Sequence, residues 1–496
     1  MKDKILFWID STFTQFGTAK FLEKKCDAEF YAIIDTNKGK EFYEKQKIVN
    51  FKKKWFLKDY LIKLPEKVNL EYLSEFEKKY KISIWKLAYS DTIFVKYNQY
   101  YKFNENEILR IFEQECRLFE KIIEEINPNF LIVKITDASH MRLLQLLCQA
   151  RGIKVLSLGF TRFGYRSYIG SDNDVIDEIS SKPKQVGSSK NKSFEELEDF
   201  LKGYSNQDKT WGNKYQSSKI QWLKGGMQFL LLILSKNYRI DYTHYGRTVI
   251  NAIKIEISFL IKRKIRKKFL DRNAKKGTDD NLFIYFPLQL EPERTLLIPA
   301  PYYSNQLEVI KNIAKSIPIE YKVLVKEHPM QKVRAWRDIE YYKEILRLPN
   351  VKLIHPEITN EEMIKKCKMV ITATGTAGLE AALYKKPSII FADVNYQTLP
   401  SVHRIKNIEE LTKTIKLMLQ KKVSLDDFSK LTNIVLENTF KIDENSISIK
   451  VLNEFYYGGF LLDVKMDETK VDLFLNQNKF FYELLATEFL KKINKK

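Results

Sequence analysis

The segment YKVLVKEHPMQK, Tyr321 to Lys332, ends an apolar run on Lys326 and His328 in a chain with only five histidines. A lysine and an imidazole two residues apart at the end of a buried strand can both donate to a phosphate, and a protonated histidine stabilises a departing one. Pro329 confines His328 to extended conformations and so sets the direction of the ring. Taken alone, a surface His-Pro turn explains the same dipeptide. A second stretch, TATGTAGLEAALYKKP, Thr372 to Pro387, passes from a strand through small residues into a helix beginning near Ala377. Backbone amides and threonine hydroxyls at such a turn suit a phosphate, although a tight strand-to-helix turn demands the same residues. It has neither the Gly-Lys-Ser/Thr of a P-loop nor the GxGxxG of a dinucleotide site. In the third, FPLQLEPERTL, Phe286 to Leu296, a strand ends in Gln289, Glu291 and Glu293; the two glutamates can serve as base or nucleophile, although exposed glutamates are more often simply solvated.

These residues need strands to carry them. LFIYFPL, YKVLVKE, VKLIHP, KMVITAT and PSIIFAD alternate with helical patterns near Asn305 to Ser316, Arg337 to Arg347, Asn360 to Cys367, Ala377 to Tyr384 and Ile408 to Gln420. Strict alternation predicts a parallel, doubly wound sheet whose C-terminal edge holds the ligand. The N-terminal region repeats the rhythm: KILFWID, a helix, AEFYAIIDT, then the helical ILRIFEQECRLFEKIIEEI, the strand in NPNFLIVKITDAS, a helix through Met141 to Arg151, and IKVLSLG. Asp10 and Asp137 fall at strand ends there, where a second site would lie. The tail after Asp467 is helical and is positioned to brace the first domain.

Between the two regions, from about Ile179 to Thr278, a Ser/Lys/Asn-rich loop gives way to aromatic and basic helices. Val249, Ile253, Ile257, Leu260, Ile265 and Phe269 keep helical spacing, and KRKIRKK adds six cations at Lys262 to Lys268. Such a helix can lie on anionic lipid or present a solvated face while packing on its neighbours. DND, Asp172 to Asp174, is the one DxD motif; it lies at the domain border and reads as a loop rather than a metal site.

At 496 residues the chain exceeds one ordinary core, and 44% hydrophobic with 30% charged residues reads as globular. The net charge of +21 suits an anionic partner, while the abundance of Lys, Ile, Asn, Phe and Tyr is also the bias of an AT-rich genome. No nucleic-acid module is recognisable. Cys26, Cys116, Cys148 and Cys367 are isolated, which predicts neither zinc nor a disulfide framework. No secretory signal is read at the N-terminus, and FLLLIL, Phe229 to Leu234, is too short to cross a bilayer. The expectation is a cytoplasmic protein, peripheral at the inner face of the membrane if the basic helix binds lipid.

In this order, YFPLQ with PE, VKEHP, LPNVKLI and TGTAGLEAAL with KP resemble the capsule polysaccharide biosynthesis family, GT-B-like glycosyltransferases that include bacterial capsule β-Kdo transferases. The resemblance runs from about Ile284 to Arg404. It implies an α/β, GT-B-like fold, two Rossmann-like domains facing a central cleft with a helical insert between them. The corresponding boundaries are 1–178, an acceptor-side domain; 179–278, the basic insert; 279–464, the nucleotide-sugar domain; and 465–496, a helical tail. It further implies transfer of a Kdo or nonulosonic acid type sugar from a CMP-activated donor to a surface glycan or lipid-linked acceptor, without metal or other cofactor and without nucleic acid.

On that resemblance His328 and Pro329 hold the donor phosphate, and Gln289 and Glu293 match a Gln-x-x-x-acid motif, with glutamate where the Kdo transferases have aspartate. Thr374, Gly375 and Thr376 would meet the phosphate beside Lys326, and Glu380 the ribose or the sugar. An inverting enzyme would draw its base from Asp10 or Asp137. Other readings share the motifs: polyol-phosphate transfer from a CDP-alcohol, with histidine as base; a non-catalytic scaffold of a capsule-assembly complex at the membrane; and, ranked lower because only single residues of its carboxylate-histidine set are visible, a sugar-nucleotide epimerase of the same architecture.

Overall fold

The computed structural model describes residues 2–495 except 37, 62–63, 95–98, 135–137, 162, 165, 173, 178, 180–191, 202–218, 235–241, 278–281, 460 and 462–463. Two sheets organise it. The first contains β1 (Asp3–Ile9), β2 (Ala28–Ile34), β3 (Phe51–Phe56), β4 (Phe130–Lys134), β5 (Lys154–Phe160) and β6 (Arg166–Gly170). The second contains β7 (Phe283–Pro287), β8 (Lys322–Lys326), β9 (Val351–Ile354), β10 (Met369–Thr372), β11 (Ser388–Ile390) and β12 (Val402–Arg404). A two-residue strand, β13 (Phe440–Lys441), returns to the first sheet, giving the orders β13-β6-β5-β4-β1-β2-β3 and β12-β11-β10-β7-β8-β9.

All pairings in the second sheet are parallel, as are those from β3 through β5 in the first; β6 and β13 add antiparallel edges. In β1, Ile5, Phe7 and Ile9 point into one apolar layer and Leu6 and Trp8 into the opposite one. That period-two split, with both sets buried, is what a central strand covered by helices on both faces requires. The strand order reverses between β1 and β4 in the first sheet and between β7 and β10 in the second. Each reversal opens a crevice at the carboxyl ends of the strands.

The chain's last helices belong to the first sheet. Val471 and Phe474 of the helix Glu468–Gln477, and Tyr482 and Leu485 of Lys479–Asn494, join the layer that holds Phe7. Gly17 is required at this contact, because a Cβ there would lie 2.3 Å from the Tyr482 ring. The crossing back occurs at β13, ahead of the boundary at 465 drawn from sequence.

The two halves share buried structure. Phe163, Tyr168 and Ile176 pack in one cluster with Leu379, Tyr396 and Phe428. The Ile176 amide donates to Asn395 Oδ1 at 2.7 Å, and Arg294 forms a two-pronged pair with Asp174 at 2.6 and 2.9 Å. The helix Ile84–Ser90, from the carboxyl edge of the first sheet, contacts the short helix Arg294–Leu297 at the carboxyl edge of the second. The strand ends of the two domains therefore face one another, as in a GT-B-like fold.

Candidate active site

The site is built at the carboxyl ends of β7, β8 and β10, around the reversal between β7 and β10. β8 stops at Lys326, and His328 continues extended at φ −71° and ψ 125° before Pro329 starts the 3-10 turn Pro329–Arg334. The imidazole caps that turn: Nδ1 accepts the Met330 amide at 3.2 Å, so a neutral ring carries its proton on Nε2. Burial, and then the cations Lys326, Arg337 and Arg334, push the His328 pKa down to about 4. The proline thus fixes the histidine as expected, but the ring at neutral pH is an uncharged N–H donor rather than the imidazolium that the sequence reading invoked.

Lys326 is buried, and its ammonium donates to Asn360 Oδ1 at 3.0 Å; Tyr285 donates to the same oxygen at 2.8 Å. Burial pushes the Lys326 pKa down to about 8, against the opposing pull of Glu327 and Glu380. Lys326 therefore couples the end of β8 to Glu380 on the helix Ala377–Leu383, and to His328 on its own loop.

Beneath them lies a buried charged network. The Arg337 guanidinium pairs with Glu327 at 2.9 Å and Glu291 at 2.7 Å, and also donates to the Gln289 carbonyl. Tyr342 donates to Glu327 at 2.7 Å. Burial disfavours the Arg337 cation, yet Glu327 and Glu291 hold it charged. The network ties the loop after β7 to the loop after β8, which fixes Gln289 and His328 relative to each other. Removing one member would strand its partner's buried charge.

Gln289 and Thr374 close the reversal point. The Gln289 amide nitrogen donates to Thr374 Oγ1 at 2.6 Å, and its oxygen accepts the Thr374 amide at 3.2 Å. Thr374 in turn donates to the Thr295 carbonyl at 2.7 Å and is wholly buried. Both residues were read as donor ligands; the structure turns them toward each other, so Thr374 holds the loop instead of facing the crevice. The Gly375 amide is also used, donating to Thr372 Oγ1 at 3.1 Å. A Cβ on Gly375 would lie 2.6 Å from that oxygen, so close packing alone requires the glycine. Thr376, Glu380 and His328 are half-buried.

Glu293 precedes the short helix Arg294–Leu297 and accepts the Thr295 hydroxyl at 2.9 Å. Its neighbours on either side are anchored, Arg294 to Asp174 and the Thr295 carbonyl to Thr374. Of the DND motif, Asp172 and Asp174 lie in bends and Asn173 is outside the described residues; Asp174 is a clasp between domains. Asp10 is held in the first domain, accepting the Thr12 amide at 2.8 Å and pairing with Lys134 at 3.0 Å. Asp137 lies outside the described residues.

A second titratable cluster escaped the sequence reading. Asp35, just past β2, lies 3.3 Å from His140 Nε2 and 3.6 Å from Lys58. Burial alone would raise the Asp35 carboxyl, but Lys58 and His140 hold it well below the usual range. His140 stacks on Trp8 at 5.3 Å; burial disfavours its cation, but Asp35 raises its pKa overall. Glu115 is fully enclosed nearby, and neither of its oxygens accepts a hydrogen bond from any described residue. Burial pushes its pKa up to about 8. These side chains come from positions 35, 58, 115 and 140, and only the fold assembles them.

The architecture and this edge site define an α/β protein of GT-B-like type. Residues 202–399 match the model of the family described as capsule polysaccharide biosynthesis protein, the family that the motif order resembles. Among solved structures, the chain is similar to UDP-GlcNAc 2-epimerase from Methanocaldococcus jannaschii at 13% identity, covering 88% of this chain and 100% of that one with a TM-score of 0.24. It is similar to the β-Kdo 2,7 transferase KpsC of Thermosulfurimonas dismutans at 14% identity, covering 75% and 97% with a TM-score of 0.30. The β-Kdo 2,4 transferase of the same KpsC aligns at 13% identity over 65% and 87%, also at 0.30. No curated protein sequence matches the chain. No metal-binding group of His, Cys, Asp and Glu side chains occurs among the described residues.

Proposed function

We propose that this chain is a glycosyltransferase that moves a sugar of the Kdo or nonulosonic acid type from a CMP-activated donor to a surface glycan or lipid-linked acceptor. The observation that carries the reading is the Lys326–His328 pair at the carboxyl end of β8, one strand from the reversal between β7 and β10 and within the segment matched by the capsule family model. A CMP leaving group bears one phosphate. One buried ammonium and one oriented imidazole N–H match that charge without a divalent ion. Thr376 and Glu380, both half-buried, are assigned to the phosphate and to the sugar or ribose. Gln289, Thr374 and Arg337 act through the loops they hold.

Glu293 is the acidic group assigned to the chemistry, with the acceptor entering from the first domain, whose strand ends oppose it. Domain closure would exclude water from the crevice. On this reading the protein works in the cytoplasm, at the inner face of the membrane, with the basic helix toward the lipid.

The test is a calorimetric titration with CMP, UMP, GMP and CDP-glycerol on the wild type and His328→Ala. Selective CMP binding that weakens in the variant supports the donor assignment. Preference for CDP-glycerol moves the reaction to phosphotransfer, and absence of any nucleotide binding favours the scaffold.

A further inference from the structure

The long helix Val249–Asn273 carries apolar side chains on two opposed faces, and among the described residues only one of them is packed. Inward, Ala252 and Leu270 are buried, and Phe269 stacks on Tyr342 at 6.2 Å. Outward, Ile250, Ile253, Ile257, Leu260, Ile261 and Ile265 are each between 53% and 67% exposed. At 100° per residue those six fall within an arc of about 140°, a continuous stripe along a helix about 37 Å long. The helix Lys219–Leu234 adds Leu223, Met227 and Leu231 at i, i+4 and i+8, exposed at 65%, 60% and 57%. Phe229 of that helix packs with Val249 and Ala252, so the two helices adjoin.

Charge selects the occupant. The helix carries eight cations, Lys254, Lys262, Arg263, Lys264, Arg266, Lys267, Lys268 and Arg272, against the acids Glu256 and Asp271; Arg266 is turned inward onto Asp338 and Lys267 pairs with Asp271, and the rest leave the face strongly cationic. Lys254, Lys264 and Lys268 lie within the apolar arc itself, where their long stems can cover it while the ammonium groups reach outward. A second copy using the same face would bring this cationic surface against its own image. A bilayer with anionic headgroups supplies both the apolar phase and the countercharge. No helix among the described residues is long and apolar enough to cross a membrane.

We infer that the outward face of this helix pair lies in the headgroup and upper acyl region of an anionic bilayer, with its apolar stripe inserted and the lysines at the phosphates. The inference deepens the membrane-facing part of the proposed function: attachment is by insertion, and the basic run steers and anchors it.

Flotation of the full chain with phosphatidylcholine–phosphatidylglycerol vesicles, against pure phosphatidylcholine, tests it at low and high salt. The wild type binds the anionic vesicles and stays partly bound at high salt, because insertion is not screened. Ile257→Asp with Ile261→Asp lowers affinity about tenfold or more at both salts. Lys262→Glu, Lys264→Glu and Lys268→Glu together lower it about a hundredfold at low salt. Matched thermal melts confirm folding of each variant. Absence of flotation, or binding abolished by salt and untouched by the isoleucine changes, overturns insertion. A dimer in light scattering that the isoleucine changes dissolve assigns the face to a second copy and also overturns it. CMP titration of the same samples keeps the readings apart: loss of CMP binding with flotation intact removes the donor assignment alone.

Discussion

The proposed donor site makes a pH prediction that separates Lys326 from His328, the two groups assigned to the phosphate. With Lys326 at about 8 and His328 at about 4, the free site at neutral pH presents one cation and one neutral N–H donor. Hydrogen bonds to a charged partner contribute about 1.5–3 kcal/mol, so Lys326→Met and His328→Ala should each weaken CMP about ten- to hundredfold at neutral pH. The pH courses of the two losses differ. CMP's own second ionisation near pH 6 alters every titration, but it cancels in the ratio of variant to wild-type dissociation constants. For Lys326→Met that ratio should be flat below about pH 7.5. It should then fall up to tenfold per pH unit above 8, because the wild type must take up a proton to bind. For His328→Ala the ratio should stay constant from about pH 5.5 to 7.5. Calorimetry across this range reads both. A His328→Ala ratio that climbs about fivefold or more on acidification would make the ring a cationic ligand and refute the reasoning from its burial and cationic neighbours.

Glu115 predicts a stability profile: its folded pKa of about 8 lies above its ordinary 4.5, so the stability it contributes is present below 4.5 and lost as pH rises toward 8. Glu115→Gln should therefore gain on the wild type by up to ~1.4 kcal/mol per pH unit across that window, on top of the same-signed loss from His140 above 6.5; a gap in thermal unfolding that does not change with pH would contradict it. At the domain boundary, Arg294→Met leaves Asp174 without its partner at a contact only 8% and 19% exposed, which should cost about 2–4 kcal/mol in urea unfolding. The added change Asp174→Asn should return most of that loss, and failure to do so would mean the pair is not coupled.

The second sheet was legible because its strands are short apolar runs set between helical patterns, and the reversal point follows from their order. What escaped was whatever local pattern does not mark. β3, FKKKWF, carries three consecutive lysines on an edge strand, and β12 has only three residues. The sequence offers two His-Pro steps at strand ends, His328 and His355. Only the fold separates them, because His355 is buried against Asp271 of the long helix at 3.1 Å while His328 is half-buried. Thr374 and Gln289 have the chemistry of phosphate ligands, and nothing local reveals that each satisfies the other. Arg337 and Gln306 are polar groups on helical or turn segments that sequence leaves at the surface; the structure buries both beneath the site.

The DND motif bears on more than domain adhesion. Glu293, the proposed acid, sits between two anchors: Arg294 grips Asp174 of the first domain, and the Thr295 carbonyl accepts the Thr374 hydroxyl of the loop after β10. Lys326 and His328 are held differently, by Asn360, by the Met330 amide and by the network around Arg337, all within the second domain. On the proposed reading, donor binding is complete within one half of the molecule, whereas the position of Glu293 depends on how the halves meet. On that reading a closing motion would reach Glu293 through the Arg294–Asp174 clasp, which adjoins it directly, while Lys326 and His328 have no such link to the first domain among the described residues. This division follows from the chain order: Glu293 and Arg294 are adjacent, so one short helix presents the acid and the interdomain contact together.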